Sequence, residues 1–439
     1  MRRISPQPAL RRAVQPSGQS GGGTLALLLV MLLGATLMLL YLNRTLIAEQ
    51  RAAALQWRST VAFEAAEAGR QWAMALLNHD QGVDESCRPV TAATAASAAP
   101  SLRERLIERD VAGRVWRPSA LQPTCTLGLD GSLACSCAVG VNNAWPSLPG
   151  SVVAASGYRV SLRPGPRTGS YVVESLGCVG NGDGGAGRCD DPARSDAQAL
   201  VRSSLATLSI TPALASATVV ARGAVNLSGA VTIINVDAAS GGLAIDSGAA
   251  LNLDAQSHLV GPPGSGATGA QSGPALSVNP RWSSRSADSF FASHFALRRA
   301  RLAGLPSFTR LDCTSPCNAA RVDAALAAGA RALWLDGSLD ASAGPVAWGS
   351  AERPLLLLVS GSTRLSGASR LRGLLYTSDL FWTNLDAIPG ELQGAVIAEG
   401  VVTLSGTLAL AFDAEIQVRA SDAAAVLAPV PGSWRDFGD

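Results

Sequence analysis

The sequence predicts an α+β protein. A long amino-terminal transmembrane/amphipathic helix packs on an antiparallel sheet, and a β-rich, parallel β-helix-like carboxy-terminal domain follows. Three observations carry this expectation. Residues 24–42 hold no charge, and no proline interrupts the chain from there to Asn78. Between residues 111 and 212 the pattern changes to short alternating stretches divided by Gly and Pro. Beyond Ala217 a Leu-Ser-Gly core recurs among further short alternating stretches.

The first stretch reads TLALLLVMLLGATLMLLYL, nineteen residues whose most polar members are Thr24, Thr36 and Tyr41. As a helix it covers about 28 Å, close to the ~30 Å hydrocarbon core of a bilayer. A helix apolar all round needs lipid or a large core, so a membrane span is expected. In residues 43–78, Trp57, Val61, Ala65, Ala68, Trp72 and Leu76 recur at helical spacing and predict one apolar face. Glu67 and Arg70 point away from that stripe, and Arg51, Arg58 and Glu64 flank it. Gly69 is tolerable at a cost of about 1 kcal/mol against Ala. Span and tail together make one helix roughly 80 Å long.

The 439 residues leave room for two or three domains beyond the anchor. Charged residues are 15 % and the net charge is +2, so no field points to a nucleic-acid partner. All 35 basic residues are Arg, which excludes a P-loop lysine and Schiff-base chemistry. Arg2, Arg3, Arg11 and Arg12 precede the span without an acidic residue, while Arg44, Arg51 and Arg58 follow with Glu49 among them. That bias predicts a cytoplasmic amino terminus. All eight cysteines lie beyond the span, which suits an oxidising compartment and a periplasmic bulk. The apolar run exceeds a cleaved signal peptide's core, so a single-pass cytoplasmic (inner) membrane protein is expected.

Residues 79–100 read as a loop and 101–110 as a short helix. Strands are expected near 113–117, 125–129, 133–139, 157–162, 170–176 and 199–210, forming one sheet on the helix within a domain spanning 79–212. Cys178 and Cys189 bracket a Gly/Asp-rich loop that a disulfide would close. Cys135 and Cys137 are too near each other to pair comfortably, which leaves Cys125 and Cys87 as partners. Cys313 and Cys317 are spaced for a local disulfide around a turn. A zinc site is disfavoured, because no CxxC pair occurs and His79, His258 and His294 are isolated. Asp183, Asp190 and Asp191 lack EF-hand spacing and read as a solvated turn.

From 217 to 430, Leu227-Ser228-Gly229, Leu365-Ser366-Gly367 and Leu404-Ser405-Gly406 sit among strands of four to six residues. Stacked coils that bury apolar edges against their neighbours need this texture. Residues 261–330 read as an insertion, with a loop at 261–273 and helices at 284–302 and 319–328. His294, beside Phe291 and Phe295, reads as a half-buried packing residue. No HExxH or P-loop occurs, and no GxGxxG opens a helix after a strand, so an enzyme is not expected, and no cofactor is implied.

The first ~80 residues resemble the PilX-type minor pilins of type IV pili. The likeness rests on Ser20 to Gly23, the apolar run, Glu49-Gln50-Arg51 and above all Ala62-Phe63-Glu64-Ala65-Ala66-Glu67-Ala68-Gly69. Residues 170–177 and the Leu-Ser-Gly coils are similar, more loosely, to the extended carboxy-terminal regions of some members. The resemblance implies a leader, residues 1–23, cut by a prepilin peptidase between Gly23 and Thr24 or one bond earlier, and methylation of the new terminus. It implies other pilins or pseudopilins as partners, through an assembly helix bearing Leu28, Glu49, Phe63, Glu64 and Glu67. Major pilins carry Glu at the fifth mature position, where this chain has Leu28 or Leu27. An unpaired amine buried mid-fibre is costly, so the departure implies a minor, priming or tip component, whose exposed β module would then serve adhesion, surface sensing or capping. A type II secretion minor pseudopilin, a membrane-anchored β-solenoid adhesin and a solenoid enzyme acting on polysaccharide are the other readings.

Overall fold

The computed structural model describes residues 21–79, 81–90, 99–109, 116–137, 145–146, 148, 154–167, 169–180, 195–263 and 275–436. Expectations for the leader before Gly21, for Asp183, Cys189, Asp190 and Asp191, and for most of the 261–273 loop lie outside them. The protein forms two compact units, Met1–Arg58 and Ser59–Asp439.

Helix α1 spans Gly21–Leu77 without a break, as the absence of proline permits. In the first unit its large apolar side chains from Leu25 to Leu42 are between 45 % and 69 % exposed. Thr36 and Thr45 donate their hydroxyls to the carbonyls of Leu33 and Leu42, both at 2.8 Å. Neither hydroxyl then needs an outside partner, which suits an apolar surrounding.

The second unit contains a six-stranded antiparallel sheet that receives the last turns of α1. Between them, α2 (Leu102–Leu106) starts on a Ser101–Glu104 capping box. The helix expected over 101–110 stops there, because β1 (Ile107–Arg109) pairs with β2 (Trp116–Pro118) instead. Five of the sheet's strands are β3 (Thr124–Gly128), β4 (Leu133–Ser136), β5 (Ala154–Pro164), β6 (Ser170–Gly180) and β7 (Ser195–Leu208). Val160, Leu162, Tyr171, Val173 and Leu205 alternate onto the helix side and bury with Ala73 and Leu77.

Beyond β7 the chain builds a curled sheet whose ladders are all parallel among the described residues. Its first coil is β8 (Ala217–Ala221), β9 (Val225–Ser228) and β10 (Val231–Ile234). On it lie β11 (Leu243–Ser247), β12 (Leu251–Leu253) and β13 (His258–Val260), and β14 (Leu276–Val278) lies on β11. Three short helices, α3 (Pro280–Ser283), α4 (Ala287–His294) and α5 (Arg299–Ala303), then lead to the opposite end of the stack. There β15 (Thr309–Asn318) and α6 (Ala319–Ala327) begin the return. The coils after them use β16 (Ala332–Ala341), β17 (Ala347–Trp348), β18 (Leu355–Val359) and β19 (Thr363–Ser366). Next come β20 (Arg370–Thr377), β21 (Leu380–Asn384), β22 (Gly390–Ala398), β23 (Val402–Gly406) and β24 (Leu408–Phe412). This last coil closes against the first, with Val396 beside Val219, Val402 beside Val225 and Leu408 beside Val231.

Both ends of the stack's chain therefore leave from its middle. After α7 (Ala414–Ala423), β25 (Val426–Pro429) pairs antiparallel with β7, Val426 opposite Leu208. This corrects the expected succession of 79–212 and 217–430: the parallel module is inserted between two adjacent strands of the antiparallel sheet. The expected insertion at 261–330 is corrected too, since β14 and β15 are rungs of the stack. The single helix expected at 284–302 is broken where Phe295 takes extended backbone.

The Leu-Ser-Gly repeat has a simple cause. Leu227, Leu365 and Leu404 fill the interior, while the Ser residues face out. Gly229, Gly367 and Gly406 turn the corner at φ of 83°, 58° and 89°, where a Cβ is penalised. Parallel register aligns the outward residues of these strands into columns. Asn252, Asn226, Thr403, Phe381, Arg364 and Asp340 form one, and Ser228, Ser405, Thr383 and Ser366 another. A different outer face is covered by helices, with Phe290, Phe291 and Ala420 packed on Trp334, Leu374, Tyr376 and Ile397.

Candidate assembly helix and its seat

The side chains α1 buries are Ala62, Ala65, Ala66, Ala73 and Leu77, with Gly69 among them. The predicted stripe is thus displaced by a residue, and Trp57, its expected first member, is 64 % exposed. The reason is the closeness of the sheet. A Cβ on Gly177 would run into the Ala62 carbonyl and the Ala66 amide, and one on Gly69 would meet Tyr158 at 2.6 Å. Small residues on helix and strand let the two backbones approach. Gly69 is therefore required by packing rather than merely tolerated. Trp72 flanks the contact, its ring 5.9 Å from that of Tyr158.

Glu67 and Arg70, set off the predicted stripe, are half-buried rather than free in solvent. The Arg70 Nε donates to both Glu67 oxygens at 2.9 and 3.1 Å, and an Arg70 Nη2–Glu67 ion pair accompanies it. Trp434 donates its indole N–H to Glu67 Oε2 at 3.3 Å and stands edge-on to Phe63 at 6.2 Å. The Arg70 hydrogen bonds hold the Glu67 carboxyl below its ordinary range, and the same bonds raise Arg70. Two residues of the AFEAAEAG run thus grip the carboxy-terminal tail. Glu64 stays exposed, as do Glu49, Leu28 and Thr24, and a Cβ on Gly23 would meet no neighbour.

The helix end is closed by residues that sequence reasoning missed. Arg103 Nε donates to the Leu77 carbonyl at 2.7 Å, satisfying one of the last-turn acceptors. Asn78 bonds both backbone groups of Leu427 in β25. Only the polar Asn at the helix end hints at this; nothing local marks Arg103 or Trp434. Farther off, Glu104 pairs with Arg331 at 2.8 Å, tying α2 to the parallel stack.

Cysteine pairing follows the strands. Cys125–Cys135 bridges β3 and β4, and Cys87–Cys137 ties the loop after α1 to the end of β4. Cys178 is disulfide-bonded. Cys313–Cys317 spans a bulge within β15 rather than the turn expected. Closing a loop of 50 residues, as Cys87–Cys137 does, removes about 4 kcal/mol of unfolded-chain entropy in the loop model. Among the described residues no cluster of three or more His, Cys, Asp or Glu could hold a metal ion.

No family model matches the sequence, and no curated protein matches it. Among solved structures, the competence-associated pilin ComZ from Thermus thermophilus is similar at 13 % identity and a TM-score of 0.22. The match covers 87 % of this chain and 97 % of that one.

Proposed function

We propose that this chain is a non-enzymatic, minor pilin-like component of a type IV pilus or related fibre, acting at its start or tip. One observation supports the reading above others. A single 57-residue helix is apolar and exposed through its first half and seated by Ala and Gly on an antiparallel sheet in its second. The exposed half suits lipid first and neighbouring helices afterwards. Leu28, where a fibre-internal carboxylate would stand, suits an end position. On this reading prepilin peptidase cuts at Gly23–Thr24, the bulk is periplasmic, and the curled parallel sheet is a β-solenoid that meets surfaces.

Mass spectrometry of the mature amino terminus tests this. In cells with active prepilin peptidase, a terminus at Thr24 or Gly23 is expected. An intact leader in such cells would sink the proposal.

A further inference from the structure

We propose that the outward columns of the parallel stack form a binding face for an extended, uncharged polysaccharide. The inference rests on reading the β module as the part that meets surfaces, but not on cleavage or assembly of α1.

Spacing is the first argument. Residues aligned along a parallel stack repeat at about 4.8 Å, and an extended β-linked pyranose chain advances by about one such spacing per sugar. The second is chemistry. Asn226, Asn252 and Thr403 offer paired donors and acceptors, and the neighbouring Ser/Thr column adds hydroxyls, which suit sugar hydroxyl groups. Phe381, in the middle of the column, is 39 % exposed and offers apolar aromatic surface to the C–H side of a pyranose. The Arg364 guanidinium lies over that ring, 5.8 Å from its centre, which holds its N–H groups beside the aromatic surface for the hydroxyls of a bound sugar.

Preorganisation is the third. Asn252 Nδ2 donates to Asn226 Oδ1 at 2.7 Å, and Ser405 donates to Thr383 Oγ1 at 3.0 Å. Side chains already held by their own ladder lose little freedom on binding. The fourth is charge. Arg364 sits in register beside Asp340, so the column has no net charge and lacks the cations that a phosphate polymer demands. At one end the face opens into a depression of ≈ 870 Å³ lined by Asn226, Asn252, Asp254 and Val278, among others. A chain end or side branch would fit there.

The test uses the full chain in detergent micelles, sedimented with microcrystalline cellulose, chitin and a neutral mixed-linkage β-glucan, with duplex DNA as competitor. Retention on at least one of these polysaccharides is expected, unaffected by the DNA. Phe381→Ala should weaken it roughly tenfold, as loss of a central aromatic anchor does. Asn226→Ala should weaken it several-fold, and Glu391→Ala, on another face, should leave it unchanged. Circular dichroism and melting of each variant confirm the fold. Retention on none of the three, retention indifferent to Phe381→Ala, or displacement by DNA would overturn the proposal. The mature amino terminus is read separately, so a failure here leaves the fibre reading standing, and the reverse.

Discussion

Asn78 and Leu427 exchange two hydrogen bonds: the Leu427 N–H donates to Asn78 Oδ1 at 2.8 Å, and Asn78 Nδ2 donates to the Leu427 carbonyl at 3.0 Å. An amide side chain thereby serves the free edge of β25 as another strand would. It joins the end of α1 to the chain's last strand, which arrives only after the whole parallel module has been made. The antiparallel sheet and the helix seat are complete only when that module has returned the chain to β7.

Asn78→Ala should leave both Leu427 groups without their partner. A loss of about 1–3 kcal/mol is expected for the second unit. Asn78→Asp keeps the acceptor and should fall between the two. Urea unfolding followed by limited proteolysis of the carboxy-terminal segment checks this. Equal stability of all three proteins would show that the pair does not hold the strand.

Gly177→Ala tests the close seat of the helix. The added methyl has to displace the Ala62 carbonyl, an overpacking that costs about 1–3 kcal/mol. Gly34→Ala, at a site in α1 where a Cβ meets nothing, should leave unfolding of the second unit unchanged. A neutral Gly177→Ala would mean that helix and sheet are farther apart than described.

Local pattern made much of the fold legible. Unbroken apolarity and the lack of proline announced α1, and alternation located β3 to β7 within a few residues. The recurring Leu-Ser-Gly core marked corners of the curled sheet, because a left-handed corner needs Gly wherever it recurs. What stayed hidden depends on distance along the chain. Nothing near Val426 says that it pairs with Leu208 rather than extending the stack. The order of the coils, with the last beside the first, is likewise a matter of which edges meet. The helix stripe was misplaced because Trp57 and Trp72 outweigh Ala in any hydropathy pattern. At a seat this close to a sheet, small size decides instead. The contact of Glu67 with Trp434 stayed hidden because that partner lies at the other end of the sequence.

The Glu67–Arg70–Trp434 contact should loosen in acid. The Glu67 carboxyl is held below its ordinary value of 4.5, first by its hydrogen bonds to Arg70. A carboxylate depressed on folding contributes stability above its unfolded value and loses it as pH falls through the folded one. Tail protection from protease should thus persist at neutral pH and decline below about pH 4.5. Arg70→Gln removes the main cause and should weaken tail protection at neutral pH. An Arg70→Gln protein with the parent's acid profile would show that other carboxyl groups govern the tail.

His294 should impose a second pH dependence of different origin, in the helical cover of the stack. It is 8 % exposed, packs against both the Trp282 and Phe290 rings, and its Nε2 has no hydrogen-bond partner. Burial, reinforced by the charge of Arg285 and opposed by that of Asp246, pushes its pKa down to about 4. The unfolded chain, with an ordinary value of 6.5, therefore binds a proton that the folded protein refuses. Stability should fall as pH drops from about 6.5 towards 4, then level off once the folded imidazole also protonates. His294→Gln should flatten that interval, whatever its effect on stability at pH 7. Arg285→Gln, by removing a repelling charge, should raise the folded pKa and shrink the loss. Thermal melts of the three proteins across the interval read this directly, and a His294→Gln slope equal to the parent's would assign the effect elsewhere.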